Sequence, residues 1–190
     1  MLEWRHQRPI KVLTVDLENR PLSYRGYEQT SAEITAIAIS WGDPDKIECK
    51  LLTNKAGSMV RMLEWFRKKY DEADLVTGHF IRRHDLPILI SAYLENGLPL
   101  LGPKLTSDTF LDLVKRKDLS ASQENLAAMY GLEQEKAHMN QDQWRKANRL
   151  LSDGIALARE RVEQDVRQHM ALRARLIEAG ALKAPKIWHP

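Results

Sequence analysis

The order of strand-like and helix-like segments constrains the fold of this chain more than any other feature of its sequence. Short runs rich in β-branched residues come first, one at residues 10–18 and two within 33–53, the latter pair separated by a Gly-Asp-Pro-Asp turn. Residues 56–73 then repeat apolar side chains at helical spacing. A strand, a helix and another strand follow within 74–112. This alternation predicts an α/β fold, in which a five-stranded mixed sheet begins with three antiparallel strands and carries helices on its faces.

The C-terminal part of the chain is predicted to be helical. The 190 residues fit a single domain, 1–190, with a core at about 10–178 and an irregular tail at 180–190. Three further helices are expected from the spacing of apolar residues, at Gln123–Tyr130, Gln141–Leu150 and Gly154–Ala179.

Composition excludes several classes of protein. The chain has one cysteine, Cys49, so no intrachain disulfide can form, which favours a reducing compartment. No apolar run approaches the roughly 20 residues that span a bilayer, and the N-terminus lacks the apolar segment of a signal peptide. The net charge of +3 and the pI of about 9.0 are compatible with a nucleic-acid partner without requiring one. We therefore expect a cytoplasmic protein with no membrane partner.

Two carboxylates end the first predicted strand. In the run VLTVDLENRP, which starts at Val12, Asp16 and Glu18 are two residues apart, and side chains at that spacing project from the same face of a strand. Like charges this close repel one another, more strongly when buried, and a divalent cation bound through carboxylate oxygens removes that repulsion. The alternative is that the strand has already ended and that both side chains are solvated.

A long loop is predicted after this strand, over residues 17–32, because the segment is rich in turn-forming and aromatic residues. Tyr24 is a candidate for stacking on a terminal base, and Arg20 and Arg25 are candidates for phosphate contacts. Packing and solvation are the ordinary alternatives for these side chains.

A third candidate carboxylate lies at a junction between a predicted strand and a predicted helix. Asp85 precedes Leu-Pro and an apolar segment, a pattern that by itself is typical of a helix N-cap. The preceding loop carries four side chains with hydrogen-bond donors, which either bind a phosphate backbone or are only solvated. These are His79, Arg82, Arg83 and His84.

A fourth carboxylate, Asp165, lies on the long C-terminal helix, at the border of the apolar stripe expected to face the sheet. Arg161 and His169 are one turn to either side of it, on the same helix face. An aspartate among charged residues on a helix is usually solvated, so the four carboxylates are informative only together. Four such groups around one point suit two divalent ions, which stabilise the attacking and leaving oxygens of a phosphoryl displacement.

In these motifs the sequence resembles the DEDD superfamily of 3′→5′ exonucleases, which have the ribonuclease H-like fold. VDLE matches the first motif of that family, TGHFIRRHDLPIL the second and VEQDVRQ the third, and DTFLDL and QENLAAMYGL resemble the segments between the second and third. The resemblance is strongest to small phage-encoded members with a second motif of the form GH-x-I-R-x-H-D-L-P. It extends from about Lys11 to Arg173.

The resemblance implies a metal-dependent exonuclease that hydrolyses phosphodiester bonds at single-stranded 3′ ends of DNA or RNA and releases nucleoside 5′-monophosphates. Asp16, Glu18, Asp85 and Asp165 match the four catalytic acids, which in the family bind two Mg²⁺ or Mn²⁺ ions. A bacterial or phage-infected host cytoplasm, and a replication or repair protein as a further partner, fit the same resemblance.

The sequence departs from the family at the residue that orients the attacking water. The family has a tyrosine four residues, or a histidine five residues, before its last aspartate, and here Arg161 and Glu160 stand at those positions. His169 is therefore predicted to take the catalytic role, with His84 and His138 as the other candidates, and Arg161 is predicted to contact nucleic acid. Phe80 and His84 stand where the family commonly has asparagine and phenylalanine. These departures leave two alternatives open: a catalytically weak or inactive nucleic-acid-binding module, and a structure-selective endonuclease.

Overall fold

A mixed β-sheet with helices on both faces forms the centre of the computed structural model, which describes residues 9–20, 33–114, 118–132 and 139–190. The strands are β1 (Val12–Arg20), β2 (Glu33–Ser40), β3 (Ile47–Leu51), β4 (Leu75–Gly78), β5 (Lys104–Asp108) and β6 (Lys186–Trp188). The helices are α1 (Ser58–Glu72), α2 (Asp85–Glu95), α3 (Gln123–Met129), α4 (Gln141–Asn148) and α5 (Ser152–Glu178). Within the described residues, no helix has both the length and the apolar character required to cross a membrane.

The sheet confirms the predicted fold class. Its strand order is β3-β2-β1-β4-β5-β6. Strands β1, β2 and β3 pair antiparallel, whereas β1 pairs parallel with β4, and β4 with β5. The arrangement is that of a ribonuclease H-like sheet. Every predicted helix is present, with ends that differ from the expected ones by at most two residues.

The sixth strand corrects the expectation of an irregular tail. Strand β6 pairs antiparallel with β5, with Ile187 opposite Leu105, and Trp188 packs against the main core. The segment escaped detection because three residues are too few to display strand alternation, and Pro185 and Pro190 lie close on either side. The tail is therefore the edge of the sheet rather than an irregular extension.

Strand β1 divides its side chains between two environments. Leu13, Val15 and Leu17 point into the main apolar core, which α1 and α2 cover. The intervening residues, which include Asp16 and Glu18, project from the opposite face because strand side chains alternate. Helix α5 packs on that opposite face, so the carboxylates of β1 are directed towards it.

Small residues allow α5 to lie close to the sheet. Ala36 and Ala38 of β2 are fully buried against Val162 and Val166 of α5. A larger side chain at either alanine would push the helix away, because protein interiors are packed at close to crystal density. This contact sets the distance between β1 and the residues on the inner face of α5.

Candidate metal centre

Three carboxylates from the two ends of the chain meet between β1 and α5. Carboxylate oxygens of Asp16, Glu18 and Asp165 all lie within 4.8 Å of one another. Val166, packed on β2, places the neighbouring Asp165 at the border of the buried helix face, where the residue is only 9% exposed. Helix α5 thus places Asp165 beside Asp16 and Glu18 at the end of β1.

Asp85 is not one of the three acids that meet within 4.8 Å, but its charge acts on Asp16. It is the first residue of α2 and is 2% exposed, but it is not the N-cap that its sequence context suggested, because His84 occupies that position. The backbone N–H groups of Asp85 and Leu17 stabilise the ionised carboxylate. Burial nevertheless raises the pKa of Asp85 to about 7, and the charges of Asp108 and Glu18 add to this rise.

The pKa of Asp16 reflects both its burial and the negative charges around it. Burial, followed by the charges of Asp85, Asp165 and Glu18, raises the pKa of Asp16 well above its usual range, and Arg161 opposes this rise. Each of the other three predicted acids therefore acts electrostatically on Asp16. Half-buried carboxylates in such a group are stabilised by a cation, and hard divalent ions such as Mg²⁺ and Mn²⁺ prefer oxygen ligands. The donor set fits a divalent metal.

Arg161 lies inside this acidic cluster. Its Nε donates to Oε1 of Glu18 at 2.8 Å and is 4.0 Å from Oδ2 of Asp165. The guanidinium carbon also lies 5.3 Å from the ring centroid of Trp144 on α4, a cation–π distance. The residue that replaces the tyrosine of the resembled family is therefore in contact with the candidate metal ligands.

His169 lies deeper than the predicted water-orienting role requires. It is 2% exposed, and its Nε2 and Nδ1 are 3.1 Å and 3.3 Å from the hydroxyl oxygens of Thr77 and Thr109. Burial, with smaller contributions from His79 and Arg173, lowers its pKa to about 3, so the ring is neutral. Because both ring nitrogens have threonine partners, the geometry favours a role in positioning α5 against β4 and β5.

A buried ion pair holds the loop between β4 and α2. Arg82 donates to both carboxylate oxygens of Asp112, at 2.6 Å and 3.0 Å, and its side chain is 11% exposed. Such a bidentate pair occupies the guanidinium fork, so the position does not favour the predicted phosphate contact. Arg82 instead ties the loop that leads to Asp85 to the segment after β5.

Asp108 completes this support and was not anticipated as a site residue. Its carboxylate accepts hydrogen bonds from the backbone N–H groups of Phe80 and Arg82 in the loop and of Phe110 and Leu111 beyond β5. Asp108 and Asp112 are both fully buried. The signal that could have revealed them is the DTFLD run, in which one aspartate ends a strand and the second lies four residues later.

Phe80, one of the departures from the family pattern, has a backbone conformation that is unusual for a bulky residue. Its φ is 65°, in the left-handed region that asparagine and glycine tolerate better than bulky residues. Asparagine, which the family commonly has here, suits that conformation. In this chain the ring packs edge-on against Phe110 at 4.8 Å between centroids, and this contact compensates part of the backbone cost.

The remaining candidate nucleic-acid contacts fall in three groups. Arg83 and His84 are exposed on the loop before α2. The ring of His79 is partly buried, with Nδ1 2.9 Å from Oγ1 of Thr109. Arg20 pairs with Glu33 and donates to the backbone carbonyl of Asn148, which ties β1 to α4. Tyr24, Arg25 and His138 lie outside the described residues.

Comparisons with known proteins bear on the fold. No family model matches the chain, and no curated protein matches it. Among solved structures, the chain is similar to the family B DNA polymerase from the hyperthermophilic archaeon Pyrobaculum calidifontis, with 17% identity and a TM-score of 0.63. The similarity covers 89% of this chain and 25% of that chain, so this protein spans about a quarter of the polymerase's length.

At this level of identity the similarity establishes a shared fold. The protein is an α/β protein of the ribonuclease H-like type, with an acidic cluster at the end of its first strand that is suited to a divalent metal.

Proposed function

We propose that the protein is a divalent-metal-dependent 3′→5′ exonuclease acting on single-stranded ends of DNA or RNA. The observation that carries this proposal is the meeting of Asp16, Glu18 and Asp165 within 4.8 Å, although they come from opposite ends of the chain. The ordered resemblance to the DEDD motifs supports the exonuclease activity. The similarity to a DNA polymerase supports nucleic acid as the substrate. A cytoplasmic location and a replication or repair protein as partner are parts of the same proposal.

The acids have distinct parts in this proposal. Asp16, Glu18 and Asp165 would hold a cation, and Asp85, whose charge acts on Asp16, would complete the expected centre of two Mg²⁺ or Mn²⁺ ions. Bound divalent ions supply Lewis acidity to the reacting phosphate and lower the pKa of an attacking water. The chain itself fixes the acids on a strand and two helix positions, so little reorganisation is needed when substrate binds.

The proposed reaction is hydrolysis of the last phosphodiester bond. A water oxygen forms a bond to the terminal phosphorus, and the bond from that phosphorus to the 3′ oxygen of the preceding nucleotide breaks. The 3′ oxygen leaves as a hydroxyl, and the phosphate stays on the released nucleoside as a 5′-monophosphate.

One observation supports a second candidate, a nucleic-acid-binding module with little or no turnover. Arg161 stands where the family has its water-orienting tyrosine, and it occupies Oε1 of Glu18 at 2.8 Å. Arginine is not deprotonated in proteins, so it cannot accept a proton from water. In this alternative the acids and basic residues bind a strand end without cutting it.

The test is a nuclease assay on 5′-labelled single-stranded DNA and RNA with Mg²⁺ or Mn²⁺. The wild-type protein is compared with Asp16→Ala/Glu18→Ala and with a control that removes two exposed acids, Asp142→Ala/Glu178→Ala. The proposal expects stepwise shortening from the 3′ end by the wild type and the control, and none by the site variant.

Other outcomes decide between the alternatives. Equal degradation by all three proteins would mean that the acids are not the active centre. Binding of the labelled strand without degradation would favour the inactive module. Labelled fragments that appear without the stepwise ladder of intermediate lengths would favour a structure-selective endonuclease.

A further inference from the structure

Arg161 is held in place more firmly than an ordinary helix-surface arginine. Glu18 accepts a hydrogen bond from its Nε at 2.8 Å, and Trp144 lies against the guanidinium group. The side chain is 28% exposed, so part of it is accessible to solvent. Contacts with a strand residue and an α4 residue therefore fix the orientation of a side chain that carries four rotatable bonds.

Helix α4, which supplies Trp144, is itself fixed against α5. Gly154 of α5 lies so close to α4 that a Cβ atom there would be 2.2 Å from the backbone nitrogen of Ala147. Lys146 pairs with Asp153 at 2.6 Å across the same contact. Helix α4 also begins with a capping box, in which Asn140 and Gln143 bond reciprocally. Helix α4, and with it Trp144, is thus held firmly against α5.

Part of the guanidinium group is left for a ligand. Arginine has five N–H donors in a planar fork, and the only hydrogen bond of this fork to the described residues is the one from Nε to Glu18. The two terminal nitrogens make none to the described part of the chain. They lie on a group that is 4.0 Å from Asp165 and in contact with Glu18, two of the three acids of the candidate metal centre.

We propose that Arg161 is a catalytic residue that binds non-bridging oxygens of the scissile phosphate through its terminal nitrogens, with Glu18 and Trp144 holding the guanidinium in position. This inference rests on the proposed nuclease function and specifies how the chain handles the substrate's charge. A guanidinium fork matches two phosphate oxygens, and a fixed cation stabilises the extra negative charge of the transition state. In this proposal Arg161 stabilises negative charge on the phosphate, whereas the tyrosine or histidine of the resembled family orients the attacking water.

The first experiment separates this role from a structural one. Arg161→Ala is compared with Arg161→Lys and with Arg175→Ala, a control arginine on the same helix that pairs with Glu178 at 3.2 Å. With single-stranded oligonucleotide and Mn²⁺, Arg161→Ala is expected to lower kcat by about 10²–10³, the usual loss for one transition-state donor. Lysine should restore part of the loss, and added guanidinium ion should raise the rate of Arg161→Ala but not of the control. A kcat within about twofold of wild type, or a loss that guanidinium does not relieve, would overturn the proposal.

Trp144 provides a second, smaller test of the positioning. Trp144→Leu retains apolar packing but removes the aromatic face, so a roughly tenfold loss of kcat is expected if the cation–π contact holds Arg161 in place. The melting temperature of each variant is measured alongside. A loss of kcat that tracks unfolding would instead assign Trp144 and Arg161 to stability alone.

A binding measurement keeps this inference distinct from the proposed function. The probe is thymidine 5′-monophosphate, titrated with Mn²⁺ into wild type, Arg161→Ala and Arg175→Ala by calorimetry. If the wild type degrades no nucleic acid, the exonuclease proposal fails. Arg161 is still supported as a phosphate-binding residue if Arg161→Ala alone binds the nucleotide at least about tenfold more weakly, and equal affinities in all three proteins would refute it.

Discussion

The two faces of β1 come from alternate residues of one nine-residue strand, yet they serve different ends. On one face, Leu13, Val15 and Leu17 join an apolar core under α1 and α2. On the other, Asp16 and Glu18 meet Asp165, and burial together with the neighbouring negative charges raises the pKa of Asp16. The first face stabilises the fold, whereas the second holds a buried acid whose ionised form a bound cation would stabilise. Stability and chemistry are thus separated by a single residue step along the strand.

The largest expected effect is on the charged face. Asp16→Asn should lower exonuclease kcat by about 10³ or more, because an acid expected to bind metal is worth several kcal/mol of transition-state stabilisation. The melting temperature in metal-free buffer should stay the same or rise, since repulsion is relieved. Asp45→Asn, at an exposed position of the turn between β2 and β3, is the matched control and should change neither quantity. A variant that unfolds would assign Asp16 to the fold instead.

On the apolar face, Leu13→Ala should lower stability and leave kcat unchanged, the opposite of what is expected for Asp16→Asn. Leu13 is fully buried, and its truncation should lower the free energy of unfolding by about 3 kcal/mol through lost burial and a cavity. Urea denaturation measures this loss, with Ile10→Ala, at a residue 70% exposed, as the control expected to cost less than about 0.5 kcal/mol. The kcat of the molecules that stay folded should be unchanged. A fall in kcat comparable to that of Asp16→Asn would show that the two faces are not independent.

Asp85→Asn tests whether burial of an ionisable acid next to the cluster destabilises the metal-free fold. The pKa of Asp85 is raised to about 7 in the fold, above roughly 3.9 in the unfolded chain. The folded form therefore loses stability as the pH rises from about 4 to 7, and the loss is complete above that range. Asparagine should stabilise the metal-free protein by about 2 kcal/mol at pH 8 and by much less near pH 4.5. The same gain at both pH values in EDTA would be inconsistent with a titrating Asp85.

His169→Gln should expose the opposite pH dependence. The pKa of His169 is lowered to about 3, so its contribution is complete above the unfolded value of roughly 6.5 and is lost as the pH falls towards 3. This slope, up to about 1.4 kcal/mol per pH unit, opposes that of Asp85 between about pH 4 and 6.5. Glutamine should remove it and cost about 1 kcal/mol at pH 8 through a lost threonine hydrogen bond. Urea unfolding across this range, with His189→Gln as the exposed control, should show that stability falls more steeply with rising pH in His169→Gln than in wild type and control, because the Asp85 slope then has no opposing term. The same pH dependence in all three proteins would mean that His169 is not the group that titrates.

Much of the fold was accessible to sequence reasoning because it depends on local periodicity. The spacing of Asp16 and Glu18 predicted a shared strand face, and the apolar repeat of α5 predicted that Asp165 would border the buried side. Strand β6 escaped because its three residues acquire strand character only by pairing with β5.

Other properties of the site residues depend on partners that are distant in sequence. Arg82 lies in a loop whose composition suggested phosphate binding, but its guanidinium group donates two hydrogen bonds to Asp112. His169 is on the face of α5 that carries Asp165, yet its two ring nitrogens lie within hydrogen-bond distance of the hydroxyl groups of Thr77 and Thr109. In both cases the residue contacts a partner that is distant in sequence, and residue type alone does not predict such a contact.

The sequence by itself determined which side chains share a face of a strand or helix, because that follows from backbone geometry repeated every two or 3.6 residues. Only the tertiary structure decided which faces meet and at what distance. The small side chains of Ala36 and Ala38 let α5 approach β2 until Asp165 reaches the acids of β1. Close packing between segments far apart in the chain has no local signature, so the acidic cluster and the place of Arg161 within it became visible only in three dimensions.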